Sequence, residues 1–210
     1  MGCEFVHGKL AAPKPSMDTK PITVAVVGAT GAVGREFIRL LDQRPWAVTE
    51  FRPLASPKSL GKQILFRGEA IRVQHATTAS FSKVDVAFFS AGASVSKKLV
   101  PPALRAGATV IDNSSAFRMR EDVKLVVPEV NGEILDPADT VIDNPNCMAI
   151  ISLMAVGPLR EFGKVKRLVM STYQSASGAG ASALEELKRQ TGDVLAGKVP
   201  RPKVFAPQSA

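Results

Sequence analysis

The stretch Ile22-Thr23-Val24-Ala25-Val26-Val27-Gly28-Ala29-Thr30-Gly31-Ala32-Val33-Gly34 decides the fold. Its first six residues are a strand-type run rich in β-branched side chains, and Gly28 ends it. From Ala32 to about Gln43 apolar residues recur at helical spacing, and Pro45 stops the pattern. Gly28, Gly31 and Gly34 are spaced three apart. Small residues in such a turn let the backbone come close to a pyrophosphate, and the helix N-terminus supplies N–H donors for it. The spacing is a variant of the G-x-G-x-x-G dinucleotide motif, set in the strand and helix context that the motif requires. A purely structural turn is the alternative reading of the same residues.

Working outward, Val48 to Leu54 reads as a second strand. The carboxylate that usually follows it in an NAD site is missing, and Ala55-Ser56-Pro57-Lys58-Ser59 stands in its place. A carboxylate there would repel a 2′-phosphate, whereas a cation flanked by hydroxyls would attract one. Lys58 and Ser59 therefore point to NADP over NAD, unless Lys58 is simply a solvated loop residue. Gln63 to Val73 suggests a hairpin turning at Arg67-Gly68. Val84 to Phe89 suggests a buried strand closed by Ser90-Ala91-Gly92. In a doubly wound sheet ligands lie at the carboxyl ends of the strands, so Ser90 and Gly92 are expected to line a cofactor crevice.

A helix after Ser94 is expected to break at Pro101-Pro102, and Ala108 to Ile111 to form the next strand. Asp112-Asn113-Ser114-Ser115-Ala116-Phe117-Arg118 is then either an anion site at a strand end or a surface loop. Strands are also expected over Lys124 to Val130, at about Thr140 to Ile142, and over Val165 to Tyr173. Helices are expected from Met148 to Phe162 and from Ala181 to Leu195. Strands alternating with helices give an α/β fold with a largely parallel, doubly wound sheet of Rossmann-like type.

Asn144-Pro145-Asn146-Cys147 lies between a strand and a helix. That context sets the Cys147 thiol at or beside a helix N-terminus, where unpaired N–H groups and the helix dipole favour a thiolate. A small cysteine packed as a hydrophobe is the competing reading.

Of the 210 residues, 45% are hydrophobic and 22% charged, the balance of an ordinary globular chain. The two cysteines, Cys3 and Cys147, are far apart, so a disulfide framework is not expected and a reducing compartment is. No apolar run approaches the ~20 residues that span a bilayer. The formal net charge of +8 is dispersed, with one Trp and one Tyr to interleave. Anionic small-molecule ligands fit this better than nucleic acid, and no membrane partner is expected. Residues 1–20 read as a flexible leader without the apolar core of a secretory signal. Cytoplasmic localisation follows, or plastid if the leader is the remnant of a transit peptide.

The segments GATGAVG, LASPKS, FFSAGAS, IDNSSAFRM, VVPEVN, NPNC and STYQSASGAG, in this order over about residues 22–206, resemble the aspartate-semialdehyde dehydrogenase family. The resemblance implies reduction of 4-phospho-L-aspartate by NADPH to L-aspartate 4-semialdehyde and phosphate. That step is shared by lysine, methionine, threonine and isoleucine biosynthesis. It further implies that Thr30, Gly31, Ala32 and Val33 hold the pyrophosphate, and that Lys58 and Ser59 meet the 2′-phosphate. Ser177 and Gly178 would complete the cofactor site. Arg118 would bind the substrate phosphate, with Asn146 beside it, Gln174 would orient the substrate, and Cys147 would be the nucleophile. No metal is implied.

The organisation expected is a leader (1–20), an NADP-binding domain (21–147) and the start of an α+β catalytic and dimerisation domain (148–210), giving a homodimer or homotetramer when full length. This sequence departs from the family in three ways. Met148-Ala149 replaces Ser-Thr after the cysteine, and neither His7 nor His75 holds the place of the family's acid/base histidine. A second substrate arginine is missing as well. The chain is thus expected to stop within the second domain and to be inactive by itself. N-acetyl-γ-glutamyl-phosphate reductase, with a similar plan and acyl-phosphate chemistry, is the alternative enzyme. A nucleotide-binding paralogue without catalysis is the alternative outside that class.

Overall fold

A computed structural model of the chain describes residues 20–205. The expectations placed on residues 1–19, including the leader, Cys3 and His7, lie outside the described residues. Strand β1 (Ile22–Val27) leads through the glycine turn into helix α1 (Ala32–Gln43) and strand β2 (Val48–Ala55). A hairpin, β3 (Gln63–Phe66) and β4 (Glu69–Arg72), stands apart from the main sheet. There follow β5 (Gln74–His75), β6 (Val86–Phe89), α2 (Ala93–Arg105), β7 (Thr109–Asp112), β8 (Lys124–Leu125), α3 (Pro128–Asn131), β9 (Val141–Asp143), α4 (Cys147–Val156) and α5 (Ala181–Leu195).

Seven strands form one sheet in the order β5-β2-β1-β6-β7-β9-β8, and every pair in it is parallel. Alternation along β1 explains why helices cover both faces. Val24 and Val26 pack with Ile38 and Leu41 of α1 and with Phe51 and Phe66. Ala25 and Val27 turn the other way, toward Leu54, Phe81, Phe89 and Val110, where Leu99, Val100 and Ala103 of α2 close the layer. The doubly wound, mostly parallel α/β architecture expected from the sequence is the one observed. After β1 the chain first winds toward β2 and β5, then returns to the far side of β1 with β6. The reversal between β1 and β6 is the topological switch point, where this kind of sheet opens a ligand crevice.

Helix α4 ends at Val156, short of the expected Phe162, and gives way to a 3-10 stretch that begins at Gly157-Pro158. Three further expected elements differ. Helix α2 runs unbroken through Pro101 and Pro102. The carbonyls that lose an intrahelical partner belong to Lys97 and Lys98, both exposed, where water can serve them. Only Lys124–Leu125 of the expected 124–130 strand pairs, because Pro128 starts helix α3. Val165 to Tyr173 has no regular secondary structure. Its apolar residues satisfy strand propensity but, among the described residues, have no neighbouring strand to complete a ladder.

The described residues fall into two compact units, one ending at Met154 and the other beginning at Ala155. Within the second, a 3-10 turn (Ala176–Ala179) precedes α5. The buried Glu186 carboxylate of α5 accepts the backbone N–H groups of Lys203, Val204 and Phe205 at 2.9, 2.7 and 3.1 Å. Burial works against its charge, but these donors and Arg189 prevail and hold the carboxyl below its ordinary range.

Candidate active site

The glycine turn is built by close backbone approach. Gly28 has φ +89°, donates its N–H to the Leu54 carbonyl, and its own carbonyl accepts the Gly31 N–H at 2.9 Å. A Cβ on Gly28 would lie 2.7 Å from the Ser90 carbonyl oxygen, and one on Gly34 only 2.2 Å from that of Gly28. Both positions therefore require glycine, and the turn after β1 lies directly against the end of β6 at the switch point. Thr30, Ala32 and Val33 complete the turn and the start of α1. Gly92, with φ +88°, precedes α2 on the β6 side. Ser90 Oγ is buried with no hydrogen-bond partner, a polar atom that a ligand in the crevice could satisfy. The compact glycine cradle and this orphaned hydroxyl fit a dinucleotide.

Thr30 Oγ1 and Ser59 Oγ lie 3.0 Å apart and share a hydrogen bond, which ties the turn to the end of β2. Ser59 is buried in a 3-10 turn (Pro57–Ser59), whereas Lys58 on the same turn is exposed.

At the ends of β7 and β9 the chain repeats itself: Ile111-Asp112-Asn113 and Ile142-Asp143-Asn144 lie side by side in register. Arg118 is half-buried and clasps both strand ends. Its Nε donates to the Asn144 carbonyl at 2.8 Å and its Nη2 to the Asn113 carbonyl at 3.2 Å. The 112–118 loop is held by Asp112, which accepts Ser96 Oγ–H and the Ser114 N–H and Oγ–H, each at 2.9 Å. Both Asp112 oxygens thus have hydrogen-bond partners. Those of Asp143 do not. It is wholly buried, and neither carboxylate oxygen has a hydrogen-bond partner. Burial, and then the Asp112 charge across the strand pair, push its carboxyl up to about 6, against the opposing pull of Arg118 and, more weakly, of the nearby backbone N–H groups of Asn144 and Phe117.

Cys147 is the first residue of α4 and is exposed. Asn146 caps that helix: its Oδ1 accepts the Met148 N–H at 2.9 Å, its carbonyl accepts the Ile150 N–H at 3.0 Å, and Cys147 Sγ stands 4.0 Å from Oδ1. Turn, arginine and cysteine therefore all project from the carboxyl ends of the parallel strands. In the second unit Ser175 Oγ accepts the Ser177 hydroxyl at 3.0 Å, and the Gln174 side chain lies over Gly178, where a Cβ would meet Nε2 at 2.0 Å. Gln174, Ser177 and Gly178 thus form one local group. His75 is exposed on the edge strand β5. Among the described residues there is no cluster of three or more metal-ligating side chains, and no helix is long and apolar enough to cross a membrane.

Residues 23–138 match the family model for the semialdehyde dehydrogenase NAD binding domain, and residues 156–210 the model for the semialdehyde dehydrogenase dimerisation domain. The chain belongs to the semialdehyde dehydrogenase family. It is 47% identical over 185 residues to an aspartate-semialdehyde dehydrogenase of Synechocystis, covering 88% of this chain and 55% of that one. To the Bacillus subtilis enzyme of the same name it is 46% identical over 172 residues, 82% of this chain and 50% of the relative. Among solved structures, aspartate semialdehyde dehydrogenase II of Vibrio cholerae superposes with a TM-score of 0.79 at 41% identity, over 91% of this chain and 58% of that one. A second structure of the Vibrio enzyme, complexed with ASA, superposes with a TM-score of 0.80. This member of the family spans about half the length of the curated relatives it matches.

Sequence reasoning did not single out Asp143, and took Asp112 only as the first residue of the 112–118 segment. The signal was available in the repeated Ile-Asp-Asn triplet, since an acidic residue closing an apolar strand twice marks a shared position on adjacent strand ends.

Proposed function

We propose that the chain is the nucleotide-binding and nucleophile-bearing part of an aspartate-semialdehyde dehydrogenase, which converts 4-phospho-L-aspartate to L-aspartate 4-semialdehyde and phosphate with NADPH. This places it on the route to lysine, methionine, threonine and isoleucine. The observation that carries the reading is the pairing of Cys147, at the first position of α4, with Arg118 anchored to the strand that leads into it. The pairing sets a nucleophile and an anion-binding cation on the same strand ends, as an acyl-phosphate substrate requires.

In this reading Gly28, Thr30, Gly31, Ala32, Val33 and Gly34 hold the pyrophosphate of NADP, and Ser90 and Gly92 line the crevice. Lys58 and Ser59 serve the 2′-phosphate, and Ser177 and Gly178 complete the cofactor site. Arg118 draws the substrate phosphate in. The Cys147 thiolate attacks the acyl carbon, the C–O bond to phosphate breaks, and inorganic phosphate leaves a thioester on Sγ. NADPH, when bound, supplies the hydride that takes the thioester to the oxidation level of the aldehyde. Cleavage of the C–S bond returns the Cys147 thiolate and frees the product. Asn146, fixed as the cap of α4, keeps the sulfur oriented, and Gln174 orients the substrate. The matched dimerisation domain supports a homodimer or higher assembly of the whole protein. His75 lies on an edge strand, so the 210-residue chain by itself is proposed to be inactive.

The test runs the reaction backward. The whole protein should form NADPH from aspartate semialdehyde only when phosphate is present, and Cys147→Ala should lower the rate at least about 10⁴-fold while NADPH binding persists. A whole protein that turns over N-acetylglutamate semialdehyde instead, or neither aldehyde, would sink the proposal.

A further inference from the structure

A cavity of about 570 Å³ opens beside the glycine turn, between α1 and the start of β3. Thr30 of the turn belongs to its lining, together with Arg35, Arg39 and Asp42 of α1 and Lys62 just before β3. The charges in this cleft are unequally committed. Arg39 is held by its own helix, donating to Glu36 at 2.9 Å and to Gln43 at 3.2 Å. Asp42 Oδ1 is turned to the backbone N–H of Arg67 at 2.6 Å. Arg35 and Lys62 have no ion pair and no side-chain hydrogen bond among the described residues. Two uncommitted cations on one cavity repel each other, and an anion between them would relieve that cost.

Position narrows the anion. In a doubly wound fold the pyrophosphate rests on the glycine turn, and the adenosine ribose runs from it toward the end of β2. Here those two places are joined by the Thr30–Ser59 hydrogen bond, and the cleft begins at Thr30. Lys58, the cation singled out by sequence, is exposed and does not belong to the cleft lining. We propose that Arg35 and Lys62 are specificity-determining residues that grip the 2′-phosphate of the adenosine ribose from the α1 and β3 sides of this cleft. The proposal rests on the dinucleotide reading of the glycine turn. It adds to that reading two residues, distant in sequence from Lys58, that set the preference between the phosphorylated and unphosphorylated cofactors.

The experiment is a fluorescence titration of the chain with NADPH and, separately, NADH. It compares the unaltered protein with Arg35→Ala, Lys62→Ala, the double variant and Lys58→Ala, with Trp46 emission checking the fold. Each cleft substitution is expected to raise the NADPH Kd about tenfold, and the pair more, with the NADH Kd within about twofold throughout. Equal losses for both dinucleotides, unchanged NADPH binding, or a loss confined to Lys58→Ala would each overturn the assignment while leaving the nucleotide reading intact. An unaltered protein that binds neither dinucleotide would bring down the nucleotide reading, and this proposal with it.

Discussion

The two units of the chain are held together by different means. Up to Met154 a seven-stranded sheet is covered on both faces, and Val24, Val26, Phe81 and Phe89 are essentially inaccessible. From Ala155 onward Ala183 is the one buried apolar residue among those described, while Phe162 is 86% and Tyr173 94% exposed. In the second unit the anchoring is polar and local: three backbone N–H groups on Glu186, a short turn over Gln174, and helix α5 itself. The first unit therefore draws its stability from apolar burial in bulk, and the second from hydrogen bonds whose individual net worth is about 1 kcal/mol. Elements that carry site residues appear in both. Only the first has a core of its own to hold them rigid.

That contrast can be broken most directly at Phe89, which stacks on Phe81 with ring centroids 5.8 Å apart. Phe89→Ala should cost about 3–5 kcal/mol. Urea unfolding followed by the emission of Trp46, the only tryptophan, reports the first unit specifically. A loss below about 1 kcal/mol there would mean that the unit does not depend on its core as described.

A smaller effect is expected at Asp143, and its sign changes the comparison, because here burial works against stability. The carboxyl rises from its ordinary 3.8 to about 6 on folding, so the native state binds the proton more tightly than the unfolded chain. The stabilisation is complete below about pH 4 and is lost as pH rises through about 6. Asp143→Asn should leave stability near that of the parent at about pH 4 and raise it by about 3 kcal/mol at about pH 7.5, once the charge need no longer be buried. Parallel urea titrations at the two pH values check this, and a difference that does not depend on pH would refute it.

The smallest effect belongs to the second unit. Phe162→Ala removes a large aromatic side chain, yet at its exposure the change should stay within about 0.5 kcal/mol. Hydrogen exchange of the α5 amides is the suitable readout, and strong deprotection would show that Phe162 is packed after all.

Much of this was legible because the relevant signals are local. The run from Val24 to Val27 alternates strictly between the two cores, and the three-residue glycine spacing fixes how closely Gly34 can approach Gly28. Asn146-Cys147 read correctly as a helix start because capping depends on neighbours in sequence. What stayed hidden depends on partners elsewhere in space. Strand propensity in Val165 to Tyr173 cannot disclose that, among the described residues, no strand stands beside it. Pro101-Pro102 looked like a break because the sequence does not show that the affected carbonyls sit on a solvated face. The Arg118 clasp and the unpaired carboxylate of Asp143 come from two strand ends more than 25 residues apart brought into register. Lys58 carries the expected charge on an exposed turn, while Arg35 and Lys62 were noticeable only once the cleft between α1 and β3 was visible.

The buried carboxyl of Asp143 also has a spectroscopic consequence. Held neutral in the slightly acidic range, its C=O stretch falls clear of the ionised carboxylates on the surface and of the amide bands. The strand that delivers Cys147 thus carries an intrinsic infrared marker, four residues before the sulfur. Its frequency should register any change in the field around Arg118, so arrival of an anion at the strand ends could be followed optically without attaching a label.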